Sequence, residues 1–179
     1  MTTQDLKITS DRVGALIGKS GATKRYIEEQ TGTSLGVDSE EGIVTVQGDD
    51  IEGVITAVDV VKAIGRGFSP ERAFQLLDED VMLEVIDLSN AAESPQQMER
   101  VRGRVIGRAG RSREQIEDMT GTQISIYGKT VSIIGVPDQI KTARTAVEML
   151  LSGVPHETVF SFLDKKRREA KQEMLEYYY

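Results

Sequence analysis

The spacing of apolar residues changes period several times along the chain. In Asp5-Leu6-Lys7-Ile8-Thr9 they alternate, and Val81–Leu88 behaves the same way, so each segment predicts a short strand. Val13, Leu16 and Ile17 then recur at helical spacing, with Ser10 or Asp11 available as a cap. Met98, Val101, Val105 and Ile106 repeat that stripe after a loop expected over 89–95. Each helix runs into Gly-x-x-Gly and is followed by a second helix. Tyr26 and Ile27 are expected to face inward on the first of these, and Thr31-Gly32 or Thr120-Gly121 supplies the C-terminal stop. A hairpin comes next. Leu35 and Val37 oppose Val44 and Val46, while Ile124 and Ile126 oppose Val131 and Ile133 around a two-residue turn at Gly128-Lys129. Third helices are expected over 50–65 and 137–151. Their apolar faces are Ile51, Val54, Ile55, Val58, Val61 and Ile64, and Ile140, Ala143, Ala146, Val147, Leu150 and Leu151. Short extra helices over 69–77 and 156–163 are candidates for contact between the two halves, and Pro70 suits a first helical turn. A separate charged helix is expected over 164–176.

The recurrence is a sequence repeat as well as a pattern. Ile17–Thr33 returns as Ile106–Thr122, with eight of 17 positions identical and four more exchanged like for like. Val44–Gly48 matches Val131–Gly135, and Gly67, Phe74 and Leu77 match Gly153, Phe160 and Leu163. Two homologous domains follow, 1–79 and 80–179. In each, the order strand, helix, Gly-x-x-Gly, helix, strand, strand, helix gives an α+β fold with three strands and helices on one face.

Charge alters the picture where it is local. The chain carries a formal −7, yet residues 12–25 carry +4 and residues 100–113 carry +6 with no acid in either stretch. Compact basic patches on an acidic body bind anions selectively. Cysteine is absent and His156 is the sole histidine, which removes disulfides, thiolate chemistry and multi-histidine metal sites. Neither cofactor nor metal is expected. His156 reads as a surface residue at a helix start, and Tyr177-Tyr178-Tyr179 as a frayed or partner-docked end. The opening Met1-Thr2-Thr3-Gln4-Asp5 is not a signal peptide, and a cytoplasmic location is expected.

The two patches surround the glycine turns. A turn leading into a helix presents backbone amides and the positive end of the helix dipole. Glycine at both ends removes two Cβ atoms, so that a sugar–phosphate backbone can approach. In the first copy the candidate RNA-binding residues are Gly18, Lys19, Ser20 and Gly21, with Lys24 and Arg25 on the rim. In the second they are Gly107, Arg108, Ala109 and Gly110, with Arg104, Arg111 and Arg113 around them. Ile17 and the first hairpin strand line an apolar groove behind the turn, where base edges can bond to strand backbone.

Over nearly its whole length the sequence resembles the KH family in its type I order, two domains in tandem. In that family this turn clamps about four nucleotides of single-stranded RNA. Ordinary KH domains carry an apolar residue three positions after the second glycine, where this chain has Lys24 and Arg113. With the tandem arrangement and the stretch Tyr127–Gly135, this is similar to archaeal two-KH RNA-processing proteins. Those are relatives of the eukaryotic factor that partners the Nob endonuclease in small-subunit ribosome assembly. The resemblance implies rRNA processing, with single-stranded RNA near the 3′ end of small-subunit rRNA as the ligand. It also implies a translation initiation factor subunit or a Nob-type endonuclease as protein partner, and no membrane. A protein-interaction scaffold on KH folds is the alternative, supported by the acidic first hairpin loop Asp38-Ser39-Glu40-Glu41-Gly42. The shorter second loop carries Lys129, which favours RNA in the second domain. An enzyme is not expected. Gly14–Ser20 is one residue short of a nucleotide-hydrolase phosphate loop and follows a helix rather than a strand.

Overall fold

The computed structural model describes residues 1–179. The chain divides into two compact units, Met1–Leu83 and Glu84–Tyr179.

In the first unit β1 (Thr2–Lys7) leads into α1 (Ser10–Ile17) and α2 (Ala22–Thr31). The hairpin β2 (Ser34–Asp38) and β3 (Ile43–Gly48) follows, then α3 (Ile51–Gly65) and α4 (Pro70–Ala73), which tightens into a 3-10 turn over Phe74–Leu77. The sheet order is β1-β3-β2, antiparallel throughout, with Leu6 opposite Val44 and Leu35 opposite Val46. Alternation sends Val44 and Val46 into the core with Leu16, Ile27, Val54 and Ile64. Thr9, rather than Ser10 or Asp11, occupies the N-cap of α1 and makes no side-chain cap bond.

On α3 the buried stripe runs through Val54, Ala57, Val61 and Ile64, with Val60 and Ala63 beside it. A stripe drawn through the large side chains alone misses those alanines and includes Ile51 and Ile55, which are more than half exposed. Tyr26, expected inward, is 40% exposed; its ring lies against Phe74 with centroids 4.6 Å apart. That contact holds the 3-10 turn to α2.

The second unit repeats the order as β4 (Met82–Asp87), α5 (Pro95–Ile106), α6 (Arg111–Thr120), β5 (Gln123–Tyr127), β6 (Thr130–Gly135), α7 (Pro137–Leu151) and α8 (His156–Tyr178). Its sheet order is β4-β6-β5. The two-residue turn at Gly128-Lys129 is present. The helix α5 starts three residues earlier than its apolar stripe. Ser94 accepts from the Gln97 N–H at 3.2 Å, and Pro95 fills the first turn, where its missing N–H costs nothing. α8 is one helix of 23 residues, not a short helix followed by a separate charged one. Val159 and Leu163 bury its first half against α6 and α7. Its second half carries surface ion pairs such as Lys166–Glu169 at 3.5 Å and Arg167–Asp164 at 3.3 Å. In each unit the extra helix therefore packs on its own third helix.

The Thr-Gly-Thr that closes α2 and α6 has a physical basis. Gly32 and Gly121 adopt the left-handed conformation that ends a helix. The Thr31 hydroxyl donates to the Ile27 carbonyl at 2.6 Å and lies 2.7 Å from the Thr33 hydroxyl. Thr120 and Thr122 repeat the pair at 2.8 Å. Two buried hydroxyls are thereby satisfied at the point where the chain turns into the sheet.

Candidate nucleic-acid interface

Both glycine turns have one backbone shape. Gly18 has φ 75 and ψ 177, and Gly107 has φ 75 and ψ 175. A single 3-10 turn follows, closed by the Gly21 N–H on the Gly18 carbonyl and the Gly110 N–H on the Gly107 carbonyl, each at 3.2 Å. Ser20 (φ 55) and Ala109 (φ 56) are the non-glycine residues with positive φ, at equivalent places in the two copies. That conformation costs a non-glycine residue about 1–2 kcal/mol, so its recurrence means that the surrounding turn fixes it.

The two glycines of each turn do different work. A Cβ on Gly18 would overlap the Thr23 side chain, and one on Gly107 would overlap Ser112. The first glycine thus lets the start of the second helix close onto the turn, a packing reason rather than the ligand clearance expected from sequence. The second glycine fits that expectation better. A Cβ on Gly110 would meet nothing nearer than Arg113 Nη2 at 3.9 Å, and one on Gly21 would meet only the tip of the flexible Arg25 side chain, at 3.1 Å. No side chain caps α2 or α6. The middle residues Lys19, Ser20, Arg108 and Ala109 are all exposed. An open helix start beside a free cation is suited to a phosphate.

The surrounding cations divide into two groups. Arg108 and Arg111 are exposed on the rim. Arg25 donates from Nη1 to the Ser20 carbonyl at 2.7 Å and so braces the first turn. Lys24 Nζ lies 3.3 Å from Glu28 Oε1, and Arg113 Nη1 lies 2.6 Å from Glu117 Oε1. The other carboxylate oxygen of each acid accepts a strand N–H, Leu35 at 2.9 Å and Ile124 at 2.8 Å. Lys24 and Arg113 are therefore half-buried members of a helix-to-strand bridge. Glu28 and Glu117 were not among the residues expected from sequence. Their signal is the basic residue four positions earlier, kept in both copies.

That bridge also orients the groove. β2 and β5 are edge strands, and the outward N–H of Leu35 or Ile124 is taken by the glutamate. Alternation turns the peptide groups of Val37 and Ile126 to the same open edge. Ile17 and Ile106, the last residues of α1 and α5, are half-buried and supply apolar surface next to each turn.

Arg104 is placed differently. Its Nε donates to the Leu150 carbonyl at 2.8 Å and its Nη2 to the Val154 carbonyl at 2.6 Å. It clamps α5 to the end of α7. In the first unit Arg12 makes the same clamp, on Ile64 at 2.8 Å and Phe68 at 2.8 Å. The repeat aligns Arg104 with Ala15, so the two clamps arise one helical turn apart. His156, expected to be a plain surface residue, is half-buried, and its Nε2 lies 2.9 Å from the Arg104 carbonyl.

Charge also separates the grooves. Beyond the first, the N–H groups of Glu40 and Glu41 both bond the Asp38 carboxylate at 3.1 Å, which leaves two exposed glutamates on that tip. Beyond the second, the tip is Gly128 and exposed Lys129.

Residues 82–168 match the eukaryotic type KH domain (KH-domain type I), and residues 3–63 match the KH domain. The KH domain-containing protein MJ0443 of Methanocaldococcus jannaschii is 45% identical over 175 residues, covering 96% of this chain and 77% of that protein. The pre-rRNA-processing protein PNO1 of Candida albicans is 29% identical over 116 residues, which are 64% of this chain and 42% of that protein. Among solved structures, a chain in the a/eIF2alpha-aDim2p-rRNA complex from Pyrococcus horikoshii superimposes with a TM-score of 0.88 at 47% identity, covering 94% of this chain and 95% of that one. The chain belongs to the KH-domain family, as a tandem two-KH protein related to archaeal Dim2p and eukaryotic PNO1.

Proposed function

We propose that the chain is a non-catalytic RNA-binding protein of pre-rRNA processing and small-subunit assembly, gripping single-stranded RNA at both Gly-x-x-Gly turns. The observation that carries this reading is the pair of exposed, uncapped turns of one shape, each preceded by a half-buried isoleucine and flanked by an exposed cation. Phosphates lie on Gly18–Gly21 and Gly107–Gly110, near Lys19, Arg108 and Arg111. Bases lie over Ile17 and Val37, or Ile106 and Ile126. Lys24 and Arg113 contribute field from within their ion pairs. The RNA is small-subunit rRNA near its 3′ end, consistent with a relative of this fold solved with rRNA and a/eIF2alpha. The cytoplasm is the compartment this reading assigns to that work. No helix of the chain is long and apolar enough to cross a membrane.

A protein partner, an initiation factor subunit or a Nob-type endonuclease, is favoured by one feature: the acidic Asp38–Glu41 tip, which repels RNA and suits a basic protein surface.

Titrating a labelled single-stranded RNA tests the main reading. The combined variant Ser20→Asp and Ala109→Asp places an anion on each turn and should lower affinity at least tenfold with an unchanged melting curve. Unchanged binding would assign the turns to structure alone.

A further inference from the structure

Behind the second Gly-x-x-Gly turn lies an open hollow of about 440 Å³, bounded by α5, α6 and the first turn of α8. It is not the groove. Gln115 lines it, whereas Arg113 is tied to Glu117 in the bridge to β5; two residues apart on a helix, they point to opposite sides. The walls carry Arg100, Arg108 and Arg111, which make no ion pair or hydrogen bond, and no acid. Phe160 and His156 form the apolar side, with ring centroids 6.2 Å apart. Ser112, 5% exposed, lies in the wall, and its hydroxyl has no partner.

The first unit shows what such a place accepts. Tyr26 aligns with Gln115 and Phe74 with Phe160, and there the tyrosine ring packs on the phenylalanine at 4.6 Å. The second unit lacks that ring, so its phenylalanine faces the hollow beneath three free guanidinium groups.

We propose that this hollow holds one further nucleotide of the same RNA strand, its phosphate against Arg100 and Arg111 and its base against Phe160. The proposal rests on the RNA-binding reading. Continuity favours RNA over an acidic peptide: Gly107 and Arg108 border both the hollow and the turn, and an aromatic face beside free guanidinium groups matches a nucleotide's paired base and phosphate.

The test uses the full chain and two labelled oligouridylates, one of about four nucleotides, enough for a KH groove, and one about twice as long. Gln115→Tyr should fill the hollow as Tyr26 does in the first unit. It should weaken the longer strand by about 5- to 150-fold, the range of one lost base stack, and leave the shorter strand unchanged. Arg100→Gln should act in the same direction and lower the log–log salt slope for the longer strand by about 0.7. If wild type binds both strands and neither variant alters the length preference, the hollow proposal is overturned while the groove reading stands. If wild type binds neither strand, both are overturned. Oligoglutamate binding that Arg100→Gln abolishes, with long-strand affinity intact, would assign the hollow to a protein and overturn the proposal.

Discussion

A Cβ added at Gly107 would collide with Ser112, whereas one at Gly110 would find open space up to Arg113. Both residues have positive φ, so alanine is strained at either. Gly107→Ala adds a steric overlap to that strain. We expect it to cost about 3 kcal/mol in urea unfolding, against about 1–2 kcal/mol for Gly110→Ala. Equal losses would show that the turn relaxes around Ser112. At this scale the sequence made the motif visible, because it occurs twice, but not the division of labour inside it. Which glycine touches what depends on residues five positions away closing onto the turn. Lys24 and Arg113 make the same point. Their charge marks them as candidates for phosphate, yet the nearest charge each meets is the carboxylate of Glu28 or Glu117, which also ties down a strand N–H.

Among elements, the order in each unit was readable because apolar period switches cleanly between two and 3.6 residues. Ends and faces were less so. Pro95 starts α5 before any apolar residue signals it, and alanines that fill tight space on α3 weigh little in a count of large side chains. The arginine clamps were invisible for a different reason. Their acceptors are backbone carbonyls about 50 residues away, at and just beyond the end of the third helix, and no local pattern encodes such a partner. Two charge-assisted bonds from one guanidinium fork make the clamp directional. Arg104→Ala should destabilise the second unit by about 2 kcal/mol. Arg104→Lys should recover little of it, since an ammonium cannot span both carbonyls. Full rescue by lysine in a thermal melt would reduce the clamp to simple charge.

For the whole chain, the net −7 hides an uneven distribution. The second unit sets free arginines and Lys129 around its groove; the first has Lys19 and a braced Arg25 facing an acidic tip. Arg108→Asp with Ala109→Asp should therefore weaken RNA binding far more than Lys19→Asp with Ser20→Asp, by an order of magnitude in dissociation constant. The remaining unit, with about four phosphate contacts, should show a salt slope of roughly −3. Equal losses from the two pairs would refute the ranking.

The two clamps sit on successive turns of equivalent helices, and this bears on how the duplicated halves can exchange material. A crossover between the repeats that joins Arg12 to the segment holding Arg104 yields a helix with both arginines competing for one pair of carbonyls. The reciprocal product has neither. Such hybrids should therefore be less stable than either parent half, so a shift of the anchor by one turn is enough to make the two halves poor substitutes for each other.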